Sequence, residues 1–137
     1  MRGQLSLEYI ILLAAFFSCL LFLVPAINNT VQAAKFGLDV RNAEHFIDDL
    51  KLGIERMNVL GDGSSLQISS NVINQWELKN ENMKLILIVE SSELGRGKKL
   101  EREVNANFSL LPFRAENEIR LKLEKNSGKV SVVNGEP

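Results

Sequence analysis

The sequence predicts an α+β protein, a long kinked N-terminal helix laid on a C-terminal antiparallel β-sheet. Three observations predict it. No charged residue lies between Tyr9 and Ile27, so the chain begins on an apolar run. A helical stripe follows, Ala33, Phe36, Val40, Ala43, Ile47, Leu50, Ile54 and Met57, in steps of 3, 4, 3, 4, 3, 4 and 3. Beyond Gly61 the apolar period drops to two, the spacing of strands. The expected organisation is 1–3, 4–27, 28–60 and 61–137: a leader, an apolar helix, an amphipathic helix and a sheet domain.

Bulk composition bounds the function. At 137 residues, one soluble domain is the most the chain holds beside a membrane segment. The net charge is −1, so no basic face points to nucleic acid. Cys19 is the single cysteine, which excludes an internal disulfide and a cysteine metal cluster.

A helix needs about 20 apolar residues to cross the hydrocarbon core. Leu5 to Ile27 meets that length with Glu8 near one edge. A secretory signal peptide is the competing reading, with an apolar region of about 7–15 residues and small residues at its cleavage site. The run here is longer. Ala33-Ala34 imitates such a site, but the chain continues from it into a helical pattern. Cys19 within the run reads as small packing filler. Pro25 lacks an N–H and its ring clashes with the Leu21 carbonyl, so either a kink or local melt is expected, or the end of the membrane span. Asn28-Asn29-Thr30 reads as a polar break at the membrane's outer edge.

The motif at the start is Arg2-Gly3-Gln4-Leu5-Ser6-Leu7-Glu8-Tyr9. Arg-Gly-Gln-x-Ser-x-Glu-Tyr before an apolar helix resembles the class III signal peptide of archaeal type IV pilin-like proteins. The resemblance spans Arg2 to Ile27, under a fifth of the chain. It departs from the family in its leader, Met1-Arg2-Gly3, which carries one basic side chain. The resemblance implies cleavage between Gly3 and Gln4 by a prepilin peptidase, with Gln4, Ser6, Glu8 and Tyr9 as the processing motif. It implies a type IV pilin-like fold in which a proline near position 25 bends or loosens the helix. It also implies a membrane-inserted subunit that later joins a surface filament, for adhesion or attachment. The implied partners are other pilin subunits, the peptidase, an assembly ATPase and a membrane platform. The alternative is a singly anchored pseudopilin-like or solute-binding surface protein.

Elementary chemistry gives that logic a basis. Arg2 stays cytoplasmic by the positive-inside rule, with the bulk of the chain outside. A new Gln4 α-amine has a reference pKa of about 7.7–8.0 and is largely protonated at neutral pH. Glu8 of one subunit then pairs with the Gln4 amine of a neighbour, so neither charge is buried alone. Cyclisation of Gln4 to pyroglutamate would remove that amine and leave Glu8 to the Ser6 hydroxyl or the free N–H groups of the helix start. The plainer reading of Glu8 is a marker of the membrane interface.

The stripe from Ala33 to Met57 fits either a coiled coil or a helix packed on a sheet, and strands do follow. Asp39, Arg41, Glu44, Asp48, Asp49, Lys51, Glu55 and Arg56 are expected mostly to face away from it. Gly53 weakens the helix and permits close packing. Gly61 with Asp62-Gly63-Ser64-Ser65 stops it. The expected strands are Leu66–Ser69, Trp76–Leu78, Met83–Val89, Leu100–Leu111, Ile119–Glu124 and Val130–Val133, forming one antiparallel sheet of four to six strands. Met83–Val89 is apolar on both faces and so central. Lys125-Asn126-Ser127-Gly128-Lys129 reads as a hairpin turn, and Arg96-Gly97-Lys98-Lys99 as a solvated hairpin tip.

Asn28 and Asn107 begin Asn-x-Ser/Thr sequons, expected acceptors of glycan outside the cell. His45, the single histidine, sits on the polar side of the helix without a metal-binding pattern. No P-loop, Gly-x-Ser-x-Gly or dinucleotide fingerprint occurs. No catalytic residue, metal or cofactor is expected.

Overall fold

The computed structural model describes the backbone of residues 2–135 and the side chains of residues 7–135. Helix α1 spans Arg2–Val59. Eight strands follow: β1 (Ser65–Asn71), β2 (Gln75–Glu81), β3 (Lys84–Ser91), β4 (Arg96–Glu103), β5 (Phe108–Leu110), β6 (Phe113–Ala115), β7 (Glu118–Asn126) and β8 (Lys129–Asn134). The chain divides into two compact units, Met1–Ala34 and Lys35–Pro137. The α+β layout read from the sequence is the observed one.

In the second unit, α1 buries the stripe read from its spacing. Val40, Ala43, Ile47, Leu50, Ile54 and Met57 are all buried, joined by Phe46. Fully burying one aliphatic side chain is worth about 1.5–3 kcal/mol, so this face, rather than intrinsic propensity, holds the helix in place. The partners are Trp76 and Leu78 of β2, Leu85, Leu87 and Val89 of β3, and Leu121 and Leu123 of β7. At the helix end, Lys125 Nζ donates to the Asn58 carbonyl at 2.8 Å and to the Leu60 carbonyl at 2.5 Å. These are carbonyls that a helix terminus leaves without partners.

The strands form two four-stranded sheets, not the single sheet expected. One has the order β1-β7-β8-β5, the other β4-β3-β2-β6. The β5–β8 pair is parallel and the other pairs are antiparallel. Leu100–Leu111 is therefore not one strand. It breaks at Val104–Asn107, where the chain leaves the second sheet for the edge of the first. Val104 N donates to the Met83 carbonyl before the break, and Val130 N donates to the Asn107 carbonyl after it. Phe113–Ala115 is a strand that its short, uneven pattern did not reveal.

Strand β3 is interior, as its two apolar faces require. Leu85, Leu87 and Val89 face the core. Ile86, on the other face, is still only 4% exposed. It lies opposite Lys79 and Glu101, whose stems cover it while their charges stay wet. Two tight turns set the hairpin registers. Glu81 pairs with Lys84 around Asn82-Met83, at φ 49° and 64°. Asn126 pairs with Lys129 around Ser127-Gly128, at φ 52° and 76°. Two successive positive φ values mark the type I′ turn, whose twist matches that of paired strands. Met83, taken from its apolarity as the start of a strand, is thus a turn residue. Arg96–Lys99 lies within β4 rather than at a tip. The tip is Ser92–Gly95, with Gly95 at φ 58°.

Gly53 meets β1. A Cβ there would lie 2.9 Å from Ile68 Cδ1 and 3.2 Å from Leu66 Cδ2. The missing side chain is what lets this edge strand approach α1 so closely.

Candidate functional site

The first unit is an apolar helix. Between Glu8 and Lys35 no residue is charged. The large apolar side chains from Leu7 to Val31 are exposed all round, Tyr9 at 74% and Phe22 at 81%. By length and composition the helix can cross a membrane. Its polar side chains suit that surrounding. Ser18 Oγ donates to the Ala14 carbonyl at 2.8 Å and Thr30 Oγ1 to the Ala26 carbonyl at 2.9 Å. Each hydroxyl proton is thereby satisfied within the helix, which matters where no water is available. Phe16 and Phe17 pack edge to face, 6.0 Å between ring centres.

Residues on both sides of Pro25 are helical, and so are Asn28, Asn29 and Thr30. The local melt considered at Pro25 is not found, and the helix runs unbroken through the polar Asn28-Asn29-Thr30, as the reading of one long helix requires. Glu8 and Tyr9 lie on the helix with exposed side chains. The side chains of Gln4 and Ser6, and the Gly3–Gln4 cleavage point, fall outside the described side chains.

The second unit carries a polar centre that periodicity did not flag. Asp39 is fully buried and accepts four hydrogen bonds. Oδ1 takes Ile73 N at 3.0 Å and the Trp76 Nε1 at 2.9 Å. Oδ2 takes Asn74 N at 3.0 Å and Asn74 Nδ2 at 2.9 Å. Ile73 and Asn74 lie where the chain passes from β1 to β2, out of one sheet and into the other, and Trp76 lies at the start of β2. Here the expectation that Asp39 faces away from the stripe is corrected. Asp39 lies three residues after Phe36 and four before Ala43, which is the core face. That spacing was the available signal.

Acids on one side of α1 meet β4. Glu44 Oε1 accepts from Lys98 Nζ at 3.0 Å, and Asp48 Oδ1 from Arg102 Nε at 2.5 Å. The hydrogen bond to Asp48 raises the Arg102 pKa above its ordinary value. Lys98 and Arg102 flank the buried Leu100 on one face of β4, so the strand presents an apolar residue between two cations to the helix. Elsewhere, Arg120 makes a two-point contact with Glu118, at 2.8 and 2.9 Å, and holds that carboxyl below the usual range.

His45 is exposed. Among the described residues, no three His, Cys, Asp or Glu side chains come together as a metal site would need. Asn28 and Asn107 are both exposed, the first within α1 and the second just before β5. Comparison with protein-family models, curated proteins and solved structures finds no match to the chain.

Proposed function

We propose that the chain is a membrane-inserted, pilin-like structural subunit whose N-terminal helix later packs in a surface filament. The observation that carries the proposal is the exposed apolar helix with Glu8 at its lip, directly behind the Gln4-x-Ser6-x-Glu8-Tyr9 pattern. Side chains that greasy need lipid or other helices around them. A single acid at the edge of the run then serves as a register mark between subunits. The Lys35–Pro137 unit supports the reading in a second way. It buries its own stretch of α1 in its own core, so its fold does not draw on the apolar residues before Ala34.

On this reading, a prepilin peptidase cuts between Gly3 and Gln4. The partners are like or related subunits, an assembly ATPase and a membrane platform. The head domain lies outside the cell, first as part of a single-pass membrane protein and then on the filament.

N-terminal sequencing of the protein recovered from sheared surface filaments tests the proposal. The expected start is Gln4 or its pyroglutamate. A start near Lys35, or a protein missing from the filaments, sinks it.

A further inference from the structure

Two sequons compete for one modification, Asn28-Asn29-Thr30 and Asn107-Phe108-Ser109. Both asparagines are exposed, so accessibility does not separate them. The backbone does. Recognition of Asn-x-Ser/Thr requires an enzyme to read an amide and a hydroxyl two residues apart.

Asn28 and Thr30 lie inside α1. At 3.6 residues per turn, side chains two positions apart point about 200° apart and do not face each other. The Thr30 hydroxyl is also engaged, donating to the Ala26 carbonyl at 2.9 Å. Reading this sequon requires the helix to open.

Asn107 to Ser109 enters β5, where side chains two apart share a face. Phe108 is buried, which turns its two neighbours outward. The backbone is fixed in that state. Val130 N donates to the Asn107 carbonyl at 3.1 Å, and Phe108 and Ser109 are in register with Val130 and Ser131. Strand β5 also lies at one edge of its sheet, with Asn107 exposed at its start.

We infer that Asn107, and not Asn28, is the site at which the folded protein receives an N-linked oligosaccharide. The donor is a polyprenyl-phosphate-linked oligosaccharide. The Asn107 Nδ2 attacks the anomeric carbon of its first sugar. A carbon–nitrogen bond forms and the carbon–oxygen bond to phosphate breaks. The amide gives up one proton to a base of the transferase, and the lipid phosphate leaves with the bonding electron pair. No oxidant or reductant is needed. In the cell, the inference rests on the proposed export of the head domain.

The test uses the folded full chain in detergent micelles, an oligosaccharyltransferase and a lipid-linked oligosaccharide, with sites mapped by mass spectrometry. Asn107 should be modified faster than Asn28 by at least about tenfold, because a helix turn must open first at Asn28. Asn107→Gln and Ser109→Ala should abolish the fast modification, and Asn28→Gln should leave it unchanged. Unfolding the chain beforehand should bring the two sites closer in rate. Equal rates on the folded protein, or preference for Asn28, overturn the inference. Asn107→Gln keeps the backbone carbonyl that holds β5, so unchanged Trp76 fluorescence would show the variant to be folded. Protein recovered from the cell surface supplies the second arm. A glycopeptide containing Asn107 supports the inference. A bare Asn107 on surface protein that begins at Gln4 overturns it and leaves the filament reading standing. Protein kept inside the cell with residues 1–3 attached overturns the filament reading, while the result in micelles still decides the site.

Discussion

Asp39 accepts a 2.9 Å hydrogen bond from the Trp76 indole where both side chains are wholly buried. The same carboxylate takes the N–H groups of Ile73 and Asn74, so α1 holds the corner at which the chain changes sheets. A second crossing braces this corner, since Val72 N donates to the Asn117 carbonyl at 2.9 Å.

Replacing Asp39 by Ala would take the acceptor from four donors, the buried Trp76 indole among them. Each buried unsatisfied group costs about 1–3 kcal/mol, so a loss of about 3–5 kcal/mol is expected. Asp39→Asn should also destabilise, because an amide puts donors toward donors. Trp76 is the only tryptophan, so its fluorescence during urea unfolding of the full chain in detergent reports this site directly. An unchanged urea midpoint for Asp39→Ala would show that the corner holds without the carboxylate.

Gly53→Leu should destabilise, since β1 has closed onto the bare helix backbone. The added side chain runs into Ile68 and Leu66, and overpacking of that kind costs about 1–3 kcal/mol. Gly53→Ala is the control. Its Cβ meets the flexible end of Ile68, which is only half-buried and can turn aside. The lost contact is offset by about 1 kcal/mol of helix propensity, so the net change should be small. Thermal unfolding of both variants checks the order. A Leu variant as stable as the glycine protein would contradict the close approach.

Met83→Gly should stabilise. Met83 sits at φ 64° and is 59% exposed, so it carries left-handed strain and little packing. An L-residue there costs about 1–2 kcal/mol, against about 0.5–1 kcal/mol of extra chain entropy for glycine. The balance favours glycine by about 0.5 kcal/mol. The Met83 carbonyl that accepts from Val104 N is retained. A fall in the urea midpoint would count against the type I′ turn.

Asp39 and Met83 mark where the local pattern and the fold part company, while other elements were legible. The stripe from Val40 to Met57 could be read because a helix repeats its burial every three or four residues. Strand β3 was legible because a run apolar on both faces has to be interior. The division into two sheets was not, since strands of either sheet show the same period of two. What separates them is a set of long-range hydrogen bonds, Asp39 to Ile73 and Asn74 among them, which no local pattern encodes. Met83 misled because its apolarity resembles that of the strand it precedes, while its backbone angle is set by the hairpin. The N-terminal motif is a different case, a proposal that rests on the sequence itself. Glu8, Tyr9 and the apolar run are contiguous, and their chemistry does not depend on tertiary contacts.

The contact between α1 and β4 should be weak and salt-dependent. Glu44–Lys98 and Asp48–Arg102 are both partly exposed. A double-mutant cycle on Asp48 and Arg102 should return about 0.2–1 kcal/mol at low ionic strength and less in high salt. A coupling insensitive to salt would mean that the pair acts through packing around Leu100 instead.

Glu8→Ala separates anchoring from assembly. Removing the carboxylate makes the helix more apolar, so membrane insertion should be unchanged or better, an acid costing up to about 2.5–3.5 kcal/mol at the bilayer centre and less near its edge. Cleavage between Gly3 and Gln4 should persist. Incorporation into filaments should fail, because a neighbour's N-terminal amine would then be buried without its partner, and an unpaired buried charge is strongly unfavourable. Fractionation reads the three steps separately: processed length by mass, membrane association by flotation, and filament content after shearing. If Gln4 is cyclised in the wild-type filament, no amine needs Glu8, and the alanine variant should assemble normally. Normal filaments from Glu8→Ala with a free Gln4 amine would remove the register role altogether.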